Sequence, residues 1–268
     1  MPAEEPEDDA RTDGPAMLTW ESDERCTVGG VTFQTLPADL LAPEHPSISM
    51  EGADFLLFKV PPLIDRYVDV VGELAPRRIV ELGILEGGST AFLFELARPQ
   101  GLIAVDQKPP TTDALREHLA RRDADGVVRT HTGTDQADRA QLGAIVGDAF
   151  GREPLDLVVD DCSHLYEPTR ASFNELFPRL RPGGLYVIED WPWAHTGEPN
   201  GLWPDEVPLT RFIFELLLAI PACPGLIADV AVYSDSAVVR RGQASVDPRG
   251  FDVIDCADDR GRRLLASE

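Results

Sequence analysis

The chain has little of several things, and each shortage excludes a class of protein. Four cysteines in 268 residues, Cys26, Cys162, Cys223 and Cys256, stand far apart with no CxxC pair. That spacing argues against a structural zinc or a disulfide framework and fits a reducing compartment. Positive charge is scarce: 24 Lys+Arg against 47 Asp+Glu give a formal net charge of −23. Such a surface repels phosphate backbones and anionic bilayers, so nucleic-acid and membrane partners are not expected. Long apolar runs are missing too. Phe212 to Ile220 is interrupted by Glu215 and falls far short of a bilayer span. Met1 is followed by acidic residues and prolines, not by a basic and then apolar leader, and the expected location is the cytoplasm. A dinucleotide GxGxxG is absent, as is a Walker lysine.

What remains is ample. Apolar residues make up 43% of the chain, enough for one α/β domain with a core of its own. Residues 1–46 are acidic and broken by Pro and Gly, and are expected to form a flexible segment. Residues 47–76 carry apolar positions at helical spacing (Phe55, Phe58, Leu63, Val68, Val71), interrupted by Pro61 and Pro62.

From Arg78 onward short apolar runs alternate with helical patterns. Strands are expected at Arg78–Leu82, Leu102–Asp106, Val127–Thr130, Leu155–Asp160 and Gly184–Glu189. Helices are expected at Ser89–Ala97, Thr112–Arg121, Asp135–Val146 and Thr169–Leu180. Alternation of this kind implies βαβ units and a Rossmann-like, doubly wound, mostly parallel sheet. A loop at 191–208, rich in Trp, Pro and Gly, is placed to act as a lid. A helix at Leu209–Ile220 and strands at Ile227–Tyr233 and Ala237–Arg241 follow. They would close the sheet with an antiparallel hairpin, the layout of a class I methyltransferase. The domain is expected to span 77–242, leaving a tail at 243–268 with one more possible strand at Phe251–Ile254.

The turn after the first of these strands reads Glu81-Leu82-Gly83-Ile84-Leu85-Glu86-Gly87-Gly88-Ser89. Glycine at 83 and 87 lets backbone approach a ligand, and Ser89 opens a helix whose N–H groups are free. Glu81 at the strand end suits a cationic ammonium better than a pyrophosphate. Asp106 ends the next strand, placed to accept from ribose hydroxyls, and Asp135 follows the third, placed to accept from an adenine amino group.

Ionisable residues gather again further on. Asp160, Asp161 and His164 end the fourth strand, and Glu189 and Asp190 end the fifth. Neighbouring strands lie roughly 4.8 Å apart, so these carboxylates would repel unless a cation, a proton or a basic partner intervened. No Lys or Arg lies within either motif, and a hard divalent ion such as Mg²⁺ is the simplest resolution. Adjacent strand residues face opposite ways, so Asp160 and Asp161 cannot both be ligands.

The segments VELGILEGGS and AVDQ resemble motifs I and II of S-adenosylmethionine (SAM)-dependent methyltransferases. LDLVVDDCSHLYEPTRASFNELFPRLRPGGLYVIEDW resembles, more narrowly, the metal-dependent macrolide sugar O-methyltransferases of mycinamicin and tylosin type. That resemblance implies SAM and a divalent cation, with Asp161, Glu189 and Asp190 on the metal, Asp160 in support beside the cofactor and His164 as general base. It also implies a glycoside substrate and a homo-oligomer. Trp191, Trp193 and Trp203 could stack on a sugar or aglycone or simply staple their loop, and His195 is expected on the substrate side. The rival readings are a catechol-type O-methyltransferase, a non-catalytic SAM-fold binding protein and a nicotinamide oxidoreductase.

Overall fold

A computed structural model describes residues 15–38, 48–124, 126–195 and 206–256. Its centre is a seven-stranded sheet. Five strands run parallel: β5 (Arg78–Leu82), β6 (Gly101–Asp106), β7 (Val128–Thr132), β8 (Leu155–Asp160) and β9 (Leu180–Glu189). Two more, β10 (Ile227–Val232) and β11 (Ser236–Arg241), add an antiparallel hairpin against β9. The spatial order β10-β11-β9-β8-β5-β6-β7 reverses direction between β5 and β8. Ligands of doubly wound sheets bind at that switch point, outside the carboxyl ends of the strands.

The strands are buried on both faces, and side-chain alternation divides them between two cores. Ile79, Leu102, Ala104, Leu157, Val159 and Val187 face α1 (Pro61–Leu74), α2 (Gly88–Ala97) and α3 (Ala114–Arg121). Val80, Leu82, Ile103, Val158, Tyr186 and Ile188 face α4 (Arg139–Phe150), α5 (Tyr166–Leu176) and α6 (Thr210–Ala222). A single helix per crossover covers each face in turn.

The segment expected to be flexible is in large part a second sheet. β1 (Leu18–Ser22), β2 (Arg25–Val28) and β3 (Val31–Thr35) pair antiparallel, and β4 (Phe55–Leu57) adds to β3 in parallel. Gly29 and Gly30, both with positive φ, make the two-residue turn between β2 and β3. Cys26, Val28, Val31 and Phe33 alternate inward and share a core with α2, where Phe33 meets Phe55 and Phe92. That apolar stripe offsets the chain entropy that the acidic composition suggested would prevail. Of the helical reading for 47–76, the part from Pro61 holds. Phe55, read as a helix position, lies in β4.

Two expectations near the carboxyl end also need correction. Phe251–Ile254 is not a strand, because Val253–Cys256 forms a short 3₁₀ turn packed on α6. That turn brings Cys256 to Cys223, and the two are joined in a disulfide with Cα atoms 5.5 Å apart. The pair is 33 positions apart in sequence, with the β10–β11 hairpin folding back between them, which sequence distance alone concealed.

Candidate active site

At the switch point the strand tips are joined by backbone. Asp161 N–H donates to the Leu82 carbonyl at 2.9 Å, tying the tip of β8 to the tip of β5. Gly83 has φ +98°, and a side-chain carbon there would sit 1.9 Å from the Asp161 carbonyl oxygen. Gly87, also at positive φ, packs against Leu115. The glycine-rich turn thus needs its glycines for close packing as well as for any ligand.

Asp106 braces this turn. Its Oδ2 accepts from Ile84 N–H at 2.8 Å and Leu85 N–H at 3.2 Å, while Oδ1 accepts from Lys108 N–H. Glu81 is fully buried, and Thr90 donates to its Oε2 at 2.6 Å with Ser89 adding a second hydroxyl. Its Oε1 has no partner among the described residues, and burial pushes the carboxyl up to about 7. A buried acceptor left without a donor at the strand tip calls for one from outside the described residues. Asp135 is exposed, and its Oδ1 accepts from Ala137 N–H at 2.8 Å.

Asp160 turns away from the cleft. Gln136 donates to its Oδ1 at 2.5 Å, and Ser172 and Tyr186 donate to its Oδ2 at 2.9 and 2.8 Å. Burial still raises its carboxyl to about 6. Because Gln136 Oε1 also accepts from Ser163 N–H, Asp160 anchors the loop that carries His164. Both of its carboxylate oxygens are thus engaged by side chains of the body.

Asp161 and Glu189 point to the opposite face, where the sequence reading missed their partner. The Lys59 ammonium, 3% exposed, lies 2.7 Å from Asp161 Oδ2 and 2.7 and 2.6 Å from the two Glu189 oxygens. Tyr67 OH donates to the same Glu189. Burial alone would lower the Lys59 ammonium, but the two carboxylates more than reverse that and hold it protonated. Burial and the Asp161 charge push the Glu189 carboxyl up, while Lys59 and Tyr67 pull it back. A basic partner does intervene, then. It comes from the junction of β4 and α1, 102 residues from Asp161, where neither motif could reveal it.

Three other ligand-type atoms do converge. One atom each of Asp161, His164 and Asp190 lies within 4.8 Å of the others. His164 Nε2 is 3.9 Å from Asp161 Oδ1 and 3.9 Å from Asp190 Oδ2. Of the metal set expected from the sequence, Asp161 and Asp190 are thus juxtaposed, whereas Glu189 is engaged by Lys59 and Tyr67. Two carboxylates beside an imidazole fit a hard divalent cation in charge and donor type. Burial raises the Asp190 carboxyl, and His164 opposes the shift.

The backbone here is unusual for its residue types. Leu85, His164 and Asp190 all have positive φ, at 48°, 55° and 53°. Non-glycine residues adopt that conformation where the surroundings over-determine it, and such positions cluster at functional sites. For Asp190 the surroundings are visible: its N–H donates to the Asp235 carbonyl at 2.7 Å, in the β10–β11 turn.

The tryptophan loop divides in role. Trp191 Nε1–H donates to the Tyr233 carbonyl at 3.0 Å, so this indole staples the loop to the body. Trp193, 41% exposed, stacks on the His164 ring with centroids 5.6 Å apart. His195 Nε2 lies 2.6 Å from Thr210 Oγ1 at the start of α6, fastening the loop end. Trp203 lies outside the described residues.

Sheet order, switch-point cleft and strand-tip acids together define a class I methyltransferase fold. Residues 80–191 match a family described as a methyltransferase domain. Among curated relatives, the chain is 30% identical over 183 residues to the L-olivosyl-oleandolide 3-O-methyltransferase of Streptomyces antibioticus, covering 63% of this chain and 42% of the relative. It is 59% identical over 71 residues to the demethylmacrocin O-methyltransferase of Streptomyces fradiae, covering 21% of this chain and 18% of the relative. A solved structure of the methyltransferase MycE of the mycinamycin biosynthetic pathway, in complex with Mg, SAH and mycinamycin VI, is 27% identical at a TM-score of 0.50, covering 69% of this chain and 49% of that one. The chain therefore spans less than half the length of these relatives. No helix among the described residues is long and apolar enough to cross a membrane.

Proposed function

We propose that the chain is a SAM- and divalent-metal-dependent O-methyltransferase acting on a sugar hydroxyl of a glycosylated natural product. The reading is carried by the convergence of Asp161, His164 and Asp190 at the tips of β8 and β9, beside the switch point. The named activities of these relatives, O-methylation of L-olivosyl-oleandolide and of demethylmacrocin, support the substrate class.

In this reading Glu81 takes the ammonium of the methyl donor on its unpartnered Oε1, and Asp106 and Asp135 contact ribose and adenine. Asp161 and Asp190, with Glu189 if Lys59 yields it, would hold the ion. When bound, such an ion would supply Lewis acidity that lowers the pKa of the reacting hydroxyl. His164 takes that hydroxyl's proton. Asp161 and Asp190, each with an oxygen 3.9 Å from Nε2, then stabilise the imidazolium that results. Trp193 keeps the imidazole in place and offers its exposed indole to the sugar's apolar face.

The test is incubation of the full chain with SAM and Mg²⁺ against two panels, deoxysugar-bearing macrolides and simple catechols, followed by mass spectrometry. A single methyl added to the sugar is the expected product. Methylation of catechols alone would shift the assignment to the catechol class. No transfer to either panel, with SAM bound, would leave a binding protein.

A further inference from the structure

The chain contains two lysines only, Lys59 and Lys108; every other basic side chain apart from histidine is an arginine. Lys108 is exposed. Lys59 is buried in the most acidic corner of the molecule, its ammonium within 2.7 Å of three carboxylate oxygens on Asp161 and Glu189. An arginine there would present a planar fork, whereas an ammonium is a compact point charge that can sit among converging oxygens much as a metal ion does. The position is built for it. Lys59 N–H donates to the Leu57 carbonyl, and its own carbonyl accepts from Leu36 N–H, fixing the backbone between β4 and α1. Tyr67, from the second turn of α1, closes the far side of Glu189.

We infer that Lys59 is an internal counter-ion occupying the cation position of this site, so that a divalent ion held by Asp161, Glu189 and Asp190 must displace its ammonium. This deepens the proposed function and rests on its metal assignment. The argument is one of shared donors. A hard ion prefers carboxylate oxygen to imidazole nitrogen, and three of the oxygens nearest the site are already committed to Lys59. Glu189 is 2% exposed and cannot turn to water when it changes partner, so it serves one cation or the other. Without a divalent ion Lys59 holds Asp161 and Glu189 in place against their mutual repulsion. With the ion bound the ammonium moves out toward the cleft.

Two measurements on the full chain, free of SAM and substrate, test this without reference to methyl transfer. Calorimetric titration with magnesium chloride should show Lys59→Met binding about tenfold or more tightly than wild type, because a competing charge is gone. Lys59→Arg should not show that gain. Should the methionine variant fail to fold, the wild-type protein suffices. Acetic anhydride footprinting, read by mass spectrometry with Lys108 as internal reference, should find Lys59 protected without magnesium and modified with it. Magnesium binding that leaves Lys59 protected, or that is weaker in Lys59→Met, overturns the inference while leaving a metal site intact. Absence of magnesium binding in both proteins overturns the inference and the metal assignment together.

Discussion

The rings of Trp193 and His164 lie stacked at 16° to one another with centroids 5.6 Å apart. The indole also hydrogen bonds to Asp190. One side chain therefore orients both the expected base and a neighbouring carboxylate. Trp193→Ala should lower kcat by about tenfold to a hundredfold, since small losses of position at a reacting group are costly. Trp193→Phe keeps a stacking ring but not the N–H, and should fall between. Steady-state kinetics with SAM affinity measured in parallel separates this from a folding defect.

Gly83 should tolerate no side chain. Its φ of +98° and the 1.9 Å approach to the Asp161 carbonyl leave no room that a rotamer change could supply. Gly83→Ala should cost several kcal/mol, at about the level of the larger single-residue effects, and should weaken SAM binding along with it. Gly126, which has nothing within 4 Å, is the control, and Gly126→Ala should leave the urea midpoint nearly unchanged.

Glu81 gives a pH signature. Its folded carboxyl sits near 7, above the value of about 4.5 for the unfolded chain, because burial disfavours the charge. The folded state therefore holds the proton more tightly, and its contribution to stability is full below about 4.5 and lost as pH rises through 7. The loss is on the order of 3 kcal/mol at complete ionisation. Glu81→Gln cannot ionise, so its stability relative to wild type should rise from pH 5 to pH 8, as read by denaturant melts. An unchanged difference across that range would place the titration elsewhere.

Phe33 tests whether the amino-terminal sheet belongs to the domain. The ring is fully buried, stacked on Phe55 and edge-on to Phe92 of α2. Phe33→Ala should destabilise the whole chain by about 3–5 kcal/mol, with one cooperative transition. A small early transition followed by an unshifted main one would mean the sheet melts independently.

Local pattern made the central sheet legible. β5, β6 and β8 are short apolar runs ending in acids or glycine, and their helices fill the intervals at the expected spacing. Three features were not legible in the same way. The disulfide joins residues brought together only by the packing of α6 against the turn at Val253. Lys59 belongs to the site through a contact between remote segments, and nothing in its neighbours marks it. The amino-terminal sheet did carry a signal, in the Gly29-Gly30 pair between two alternating apolar runs. High acidic content obscured it. Within the site, the strand-tip positions of Glu81, Asp106, Asp161 and Asp190 follow from sheet geometry. The inward turn of Asp160 is instead set by Gln136 in the turn before α4, Ser172 on α5 and Tyr186 on β9.

The most direct test of the account is methyl transfer to a macrolide glycoside with EDTA present, measured beside SAM affinity under the same conditions. Turnover should vanish and return on addition of excess Mg²⁺, while the SAM dissociation constant stays nearly constant. Full turnover in the chelator would contradict the assignment of Asp161, His164 and Asp190 to a metal-assisted site.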